Sequence, residues 1–196
     1  MKEVIVFLLS GKEYGVDVNK MQGCENLAEV TKVANMPESI LGTVTIRDEI
    51  IPVMDIKKKL IVPRTELSEN SRFVVFRTMY GKIACIADGV SSIYRAGDNE
   101  VQNIPALIHN DGTDYADCVV KKDDVLILVV NPEKLLTEQE WTEVKKQLKV
   151  INDEIERKKK EELERIRKEQ EKAKAEAEAK KEAEAKTAEN LGGKNE

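Results

Sequence analysis

The stretch from Pro37 to Asp55 constrains the fold more than any other part of the sequence. Val44 and Ile46 alternate with threonines, which is the period-2 pattern of a half-buried β-strand. The charged residues 47–49 interrupt this pattern and predict a turn, and the apolar residues after them form the returning strand. Pro52 has no backbone N–H, so the returning strand lies at a sheet edge or starts a bend. The sequence therefore predicts a two-stranded ribbon with a charged tip, which suits docking against another protein better than chemistry.

The two halves of the first 136 residues repeat the same order of elements. The apolar run Val4–Leu9 and the alternating residues 13–18 predict a hairpin, and residues 73–87 predict a second one. A ribbon and a short helical turn follow in each half, with the second ribbon at residues 115–130. The offset of about 70 residues is too long for a solenoid repeat. Because each half alone buries little apolar surface, we expect two small β-barrels that share an apolar seam.

From Thr137 onward the composition changes to Glu, Lys, Arg and Ala. Thr137 and Glu140 have the spacing of a helix capping box. An apolar seam follows at alternating spacings of three and four, is interrupted at Lys159, and then resumes. Its members are Trp141, Val144, Leu148, Ile151, Ile155, Leu163 and Ile166. The seam either packs back on its own domain or pairs with another helix. We expect a charged helical extension over residues 137–187 and a disordered tail over residues 188–196.

Charge and hydropathy argue against nucleic-acid and membrane functions. The formal net charge is −5, and neither the front part nor the tail is basic enough to predict nucleic-acid binding. The N-terminus lacks the basic and apolar regions of a signal peptide. No apolar run approaches the ~20 residues that a transmembrane helix needs. The sequence therefore predicts a soluble, cytoplasmic protein with no direct membrane insertion.

Residues that could carry metal or catalytic chemistry are few and widely spaced. The three cysteines are Cys24, Cys85 and Cys118, and His109 is the single histidine. Without a C-x-x-C pair or a second histidine, a metal site or a disulfide framework is not expected. The cysteines are predicted to be small buried or half-buried residues. His109 is predicted to be a polar loop residue next to a turn at residues 110–112. We expect no catalytic residue, no cofactor, no metal and no enzymatic activity.

Several motifs together resemble the CheW-like domain family of bacterial chemotaxis. Residues 13–18 look like the first-hairpin motif of that family, and Pro37–Asp55, with Arg47, looks like its central motif. Residues 88–91 and 126–136 match its second half. The resemblance covers residues 1–136 and implies a mainly β fold with two SH3-like five-stranded β-barrel subdomains packed together. The first barrel is expected at about residues 19–64 with strand exchange and the second at about 72–130, followed by a long C-terminal α-helix.

The resemblance also implies a function and two docking surfaces. It implies an adaptor or scaffold, located at the membrane-associated receptor array, that couples methyl-accepting chemoreceptors to the histidine kinase CheA. The regulatory domain of the kinase is expected to bind the ribbon at Val44, Ile46, Arg47 and Ile50. The signalling tip of the receptor is expected to bind the groove between the barrels, which we predict at Val16, Val18, Val90 and Ile93. The alternative is a CheW-like adaptor for a different signalling pathway.

The sequence departs from the family pattern at a few motif positions. Asp48 follows the motif arginine where the family usually has glycine. Gly23 replaces an acidic residue that, in the family, is placed to pair with that arginine. Cys118 and Val120 replace glycines of the second ribbon. We therefore expect Arg47 to pair with Asp48 or with Glu49 instead.

Overall fold

A computed structural model describes residues 1–104 and 114–192, with side chains described up to residue 172 and at Lys174. The described residues form eleven β-strands and two α-helices, and short 3-10 helices lie at Val18–Lys20 and Pro132–Lys134. The strands are β1 Lys2–Leu9, β2 Lys12–Asp17, β3 Met21–Asn26, β4 Ile40–Ile46, β5 Glu49–Met54, β6 Arg72–Thr78, β7 Gly81–Ala87, β8 Gly89–Ala96, β9 Val101–Asn103, β10 Ala116–Lys122 and β11 Val125–Val130. The helices are α1 Ile56–Lys59 and α2 Glu138–Gly192.

The strands form two sheets, which confirms the predicted mainly β fold class. The five-stranded sheet has the order β3-β6-β7-β5-β4, and the six-stranded sheet has the order β8-β1-β2-β11-β10-β9. The additional strand of the larger sheet is the short β9, which pairs with β10. The sequence around β9 is polar and irregular, so its local pattern does not indicate a strand.

The predicted boundaries of the two barrels differ from the observed sheets. Strands β6 and β7, which were expected in the second barrel, lie in the five-stranded sheet, whereas β1 and β2 lie in the six-stranded sheet. Parallel pairs make this exchange: β5 pairs with β7, and β11 pairs with β2. Alternation in a sequence shows which face of a strand is buried but not which strand lies beside it. The family resemblance implied strand exchange, but the local pattern does not indicate which strands are exchanged.

Three apolar clusters form the core, and the largest takes residues from both sheets. Each sheet has a cluster of its own, around Val44 and Phe73 in the five-stranded sheet and around Val4 and Ile127 in the six-stranded sheet. The third, which we call the seam cluster, contains residues of both sheets, among them Phe7, Leu9, Val16, Phe76 and Ile83. The seam cluster confirms the expectation that two small β subdomains share an apolar seam.

The first turns of α2 belong to the same compact unit as the sheets, which spans residues 1–149. The capping box forms as predicted: the Thr137 N–H donates to Glu140 Oε2 at 2.8 Å, and the Glu140 N–H donates to Thr137 Oγ1 at 3.2 Å. Trp141 and Val144 are 2% and 0% exposed within the seam cluster. This part of the helical seam therefore packs back on its own domain.

The remainder of α2, from Val150, is a separate unit. The helix continues to Gly192, five residues beyond its predicted end. Residues 188–192, which were expected in the disordered tail, are therefore helical. Residues 193–196 lie outside the described residues. The predicted loop with His109 and the turn at 110–112 also lie outside them.

A largely buried ion pair joins α1 to the connection between the two sheets. Lys57 Nζ lies 2.5 Å from Asp88 Oδ1 and also donates to Thr65 Oγ1. The Ser10 N–H, in the β1–β2 turn, donates to the other Asp88 oxygen at 2.6 Å. Burial alone raises the pKa of the Asp88 carboxyl, but the hydrogen bonds from Lys57, Ser10 and Thr65 outweigh it and hold that pKa below its usual value. The carboxylate therefore stabilises the junction in its ionised form.

Candidate docking surfaces

The predicted ribbon is present and closes through a tight two-residue turn. Strands β4 and β5 are antiparallel, and Ile46 pairs with Glu49 at the end of the ladder. The turn residues Arg47 and Asp48 have φ values of 50° and 65°. Positive φ at both central residues is the geometry of a type I′ hairpin turn. The ribbon tip therefore projects two charged side chains, as the sequence predicted.

One long edge of the ribbon is open for much of its length. β4 is the outermost strand of the five-stranded sheet. Thr31 covers its middle, because the Thr31 N–H donates to the Thr43 carbonyl at 2.8 Å and the Thr43 N–H donates back at 2.9 Å. Within the described ranges 1–104 and 114–192, Thr31↔Thr43 is an isolated bridge, and no strand continues it toward the tip. An edge of this kind can accept an additional strand or ribbon.

Gly42 permits the close approach of Thr31 to this edge. A Cβ atom at Gly42 would lie 2.2 Å from the Thr31 carbonyl oxygen, and the φ of Gly42 is +151°. Gly42→Ala is expected to break the Thr31–Thr43 bridge and to lower the free energy of unfolding by about 1–3 kcal/mol. Urea unfolding measures this loss. Gly23→Ala is the matched control, since a Cβ there meets nothing within 4 Å, and equal effects of both substitutions would contradict the steric explanation.

The residues predicted on the kinase side divide between core and surface. Val44 is 3% exposed and belongs to the core cluster of the five-stranded sheet. The prediction that Val44 contacts a partner is therefore wrong, because the other strands of the sheet cover its side chain. Ile46 and Ile50 are partly buried, and Arg47 is exposed. The outward-facing apolar residue of β4 is Leu41, which is 38% exposed and which the sequence pattern did not single out.

Arg47 pairs with a residue of β3, the strand at the opposite edge of the same sheet. Its Nη2 atom lies 2.8 Å from Glu25 Oε1, and its side chain remains 75% exposed. The expected pairing with Asp48 or Glu49 is therefore wrong, and Glu49 pairs with Lys82 instead. Glu25 lies two residues after Gly23 on β3, so both positions are on the same face of the strand. Arg47 thus has an acidic partner on β3, two residues after the position at which the resemblance implied one.

The space left by Gly23 forms a small pocket behind the ribbon tip. Its volume is about 230 Å³, and its lining includes Gly23, Glu25, Ile46 and Arg47. Because Glu25 holds the arginine across this pocket, Arg47 is positioned by a strand outside the ribbon. The tip therefore presents an oriented cation beside a partly buried apolar residue.

A second surface lies on β8, in the other sheet. This strand is the edge of the six-stranded sheet, and Ile93 on it is 60% exposed. Ile93 pairs with Ile5, and both Ile5 and Val90 are partly buried against the seam cluster. Ile93 therefore extends the apolar side of the sheet into solvent. Val18 is partly buried on the 3-10 helix after β2.

The predicted groove residue Val16 lies elsewhere. It is 0% exposed within the seam cluster, so the prediction that it contacts a partner is wrong. Val16 and Ile5 pair across β1 and β2, and the packing of the two sheets covers the inner strand while it leaves the edge strand open. The packing of the two sheets against each other therefore decides which residues of such an alternating run stay accessible.

The model of the CheW-like domain family matches residues 3–140 of this chain. The chain belongs to the CheW-like domain family. It is 27% identical to the chemotaxis protein CheW of Klebsiella aerogenes over 139 residues, which cover 71% of this chain and 84% of that protein. It is 22% identical to the chemotaxis protein CheW of Bacillus subtilis over 138 residues, which cover 70% of this chain and 88% of that protein.

A solved structure supports the same assignment. The crystal structure of the scaffolding protein TtCheW from Thermoanaerobacter tengcongensis matches with a TM-score of 0.63 and 28% sequence identity. The match covers 68% of this chain and 91% of that chain. The family model ends at residue 140, so the helical extension beyond it has no counterpart in the matched domain. Both docking surfaces lie within the CheW-like domain.

In the described part of this CheW-like protein, the side chains that could bind metal lie apart from one another. Within residues 1–104 and 114–192, no group of three or more His, Cys, Asp or Glu side chains could hold a metal ion. Cys85 and Cys118 are buried, as expected, and burial raises the pKa of the Cys85 thiol. Cys24 is exposed, contrary to the expectation, because it points outward from the edge strand β3. Those same ranges contain no helix that is long and apolar enough to cross a membrane.

Proposed function

We propose that this protein is a non-enzymatic chemotaxis scaffold that couples a methyl-accepting chemoreceptor to the histidine kinase CheA. The observation that carries the proposal is the open-edged ribbon β4–β5 with its oriented Arg47, in a chain of the CheW-like family. The relatives named above are chemotaxis and scaffolding proteins, which supports the same role here. The protein acts by docking at two separate surfaces and is located in the cytoplasm at the receptor array.

The ribbon surface binds the regulatory domain of the kinase. The open edge of β4 offers backbone hydrogen bonds, and an edge-to-edge contact between two sheets gains affinity from them. Leu41, Ile46 and Ile50 supply apolar contact area, whereas Val44 supports the ribbon from inside. Arg47 supplies a charge that Glu25 holds in place, so little side-chain freedom is lost when the complex forms.

Arg47→Glu is expected to weaken binding of the CheA regulatory domain by at least about tenfold, because it reverses a charge at the tip and places it beside Glu25. Titration calorimetry with the purified regulatory domain measures the change. Arg95→Glu is the matched control, since Arg95 is similarly exposed and pairs with Glu3 in the six-stranded sheet, away from the ribbon. Unchanged affinity of a folded Arg47→Glu variant would contradict the assignment of this surface.

The β8 surface binds the helical signalling tip of the receptor. A helix that lies in a groove needs apolar anchors on the groove side, and Ile93 with Val90 and Val18 provides them. Arg95 lies two residues after Ile93 on β8 and pairs with Glu3 of β1, which adds exposed charge beside Ile93. An apolar centre with charged side chains nearby is the usual anatomy of a protein interface.

Ile93→Glu is expected to reduce binding of a receptor signalling-domain fragment by at least about tenfold, since a carboxylate would be buried in the contact. Binding of the CheA regulatory domain should not change. Ser92→Glu is the matched control, because Ser92 is exposed on the neighbouring position of β8 and points to the other face. Co-sedimentation measures both interactions. Failure of the wild-type protein to bind receptor and kinase alike would favour an adaptor of a different pathway.

A further inference from the structure

The part of α2 beyond the domain carries an exposed apolar stripe. Ile155, Leu163 and Ile166 are 37%, 67% and 41% exposed. Ile155 and Ile166 are eleven residues apart, close to three full turns, and Leu163 lies one turn before Ile166, so the three share one face of the helix. Three large apolar side chains on one face of a charged helix indicate a partner for that face.

The charges of this segment are balanced. Residues 150–172 contain eight acidic and eight basic side chains, so two copies of the segment do not repel each other through net charge. Within one helix these charges form pairs such as Arg165–Glu162 at 2.8 Å and Arg167–Glu171 at 3.0 Å. Exposed pairs of this kind contribute little to stability, so they can be exchanged for pairs with another chain at little cost.

The charges beside the stripe have a regular arrangement. Glu162 precedes Leu163 on one flank, and Glu169 lies seven residues further along that flank. Arg167 follows Ile166 on the opposite flank, and Lys174 lies seven residues after it. If Leu163 and Ile166 occupy positions a and d of a heptad, the glutamates occupy g and the basic residues occupy e. The acidic flank and the basic flank are therefore separate.

This arrangement selects one orientation for a pair of helices. In a parallel pair, each g residue faces the e residue five positions later on the other helix, so Glu162 meets Arg167 and Glu169 meets Lys174 of the second copy. In an antiparallel pair, g faces g and e faces e, so like charges meet. The apolar stripe and its flanking charges thus fit a second copy of the same segment in parallel, in-register alignment.

We propose that residues 151–174 of α2 pair with the same segment of a second copy as a parallel, in-register coiled coil. Leu163 and Ile166 form the central apolar layers. Ile155 forms another layer in the preceding heptad frame, from which the four-residue insertion around Lys159 separates it. Gln170 lies on the seam four residues after Ile166 and forms a polar layer, which favours one register over others. Pairing would place two CheW-like domains, with two sets of docking surfaces, in one particle and so increase avidity for an array.

The mass of the full-length protein in solution tests the pairing without any partner. Light scattering after size-exclusion chromatography is expected to give a mass that rises with concentration from 22.1 kDa toward about twice that value. The double variant L163E/I166E is expected to require at least tenfold higher concentration for the same rise, whereas the outward-facing control K168A is expected to match the wild type. A mass of 22.1 kDa at every concentration would overturn the proposal, because it would show that the helix stays unpaired.

Cysteine cross-linking tests the orientation. In a C24A background, which removes the exposed native thiol, I155C and Q170C are each expected to form a disulfide with the same residue of the second copy under mild oxidation. K168C, on the opposite face, is expected to stay monomeric. In an antiparallel pair, at most one of these two cysteines can lie opposite the same residue of the second copy. Cross-linking of only one of them, or of neither, would therefore overturn the parallel register.

Charge reversal tests the flanking contacts. E162K/E169K is expected to weaken the association at least tenfold, because lysines would then face Arg167 and Lys174 of the second copy. Adding R167E/K174E to the same chain is expected to restore it, since the opposite charges meet again with their signs exchanged. Absence of this rescue in helical variants would overturn the assignment of the flanking positions.

Discussion

Asp88→Asn is expected to lower the free energy of unfolding by about 3–5 kcal/mol, because it leaves Lys57 without its anionic partner in a largely buried site. The Lys57 side chain is 7% exposed and that of Asp88 is 19% exposed. The amide cannot supply the negative charge, although it can still accept hydrogen bonds. Urea unfolding at neutral pH measures the loss. The expected loss is a large part of the free energy of unfolding of a domain of this size.

Two controls separate the ion pair from a general effect of the substitution. Asp98→Asn removes a carboxylate that pairs with the N-terminus at an exposed site, where the side chain is 92% exposed, and is expected to leave the free energy of unfolding nearly unchanged. Adding Lys57→Met to Asp88→Asn should recover much of the loss, since no unpaired charge then remains buried. A loss that persists in the double variant would show that the charge is not its cause.

The same carboxylate gives the stability a defined pH dependence. The folded-state pKa of Asp88 is lowered, so its contribution is complete above the unfolded-state pKa of about 4 and is lost as the pH falls through the folded-state value. The difference in stability between wild type and Asp88→Asn is therefore expected to be constant near neutrality and to shrink in acid. A constant difference down to low pH would contradict this linkage.

Trp141→Ala is expected to lower the free energy of unfolding by about 3–5 kcal/mol, because it opens a cavity in the seam cluster. Trp141 is 2% exposed and stacks on Tyr80 with ring centroids 5.8 Å apart. Lys146→Ala, on the exposed side of the same helical turn, is expected to change stability by less than about 0.5 kcal/mol. Equal effects of the two substitutions would show that the helix start does not belong to the core.

The same packing determines where the helical extension can be removed. A protein that ends at Lys149 keeps Trp141 and Val144 and is expected to unfold at nearly the same urea concentration as the full chain. A protein that ends at Thr137 lacks both side chains and should lose more stability than Trp141→Ala. The protein that ends at Lys149 therefore tests whether the extension is needed for docking. The protein that ends at Thr137 does not, because its loss of stability would also affect partner binding.

Patterns that arise within a few neighbouring residues were readable from the sequence. The ribbon, its charged turn and the hairpins follow from alternation with a period of two, since that pattern reports which face of a strand is buried. The capping box at Thr137 and Glu140 has a fixed spacing of three residues, so it was visible as well. The motifs of the CheW-like family are also local, which is why the fold class was confirmed.

Contacts between segments far apart in the chain were decided only by the tertiary structure. Val44 and Val16 have the same local pattern as accessible strand residues, but neighbouring elements cover them. Arg47 reaches Glu25 because the five-stranded sheet curls and brings its edge strand β3 close to the ribbon tip. The neighbour of a strand depends on the packing of whole sheets and not on its own residues. Local periodicity therefore determined the elements of this protein, and long-range packing decided which of their residues remain available to a partner.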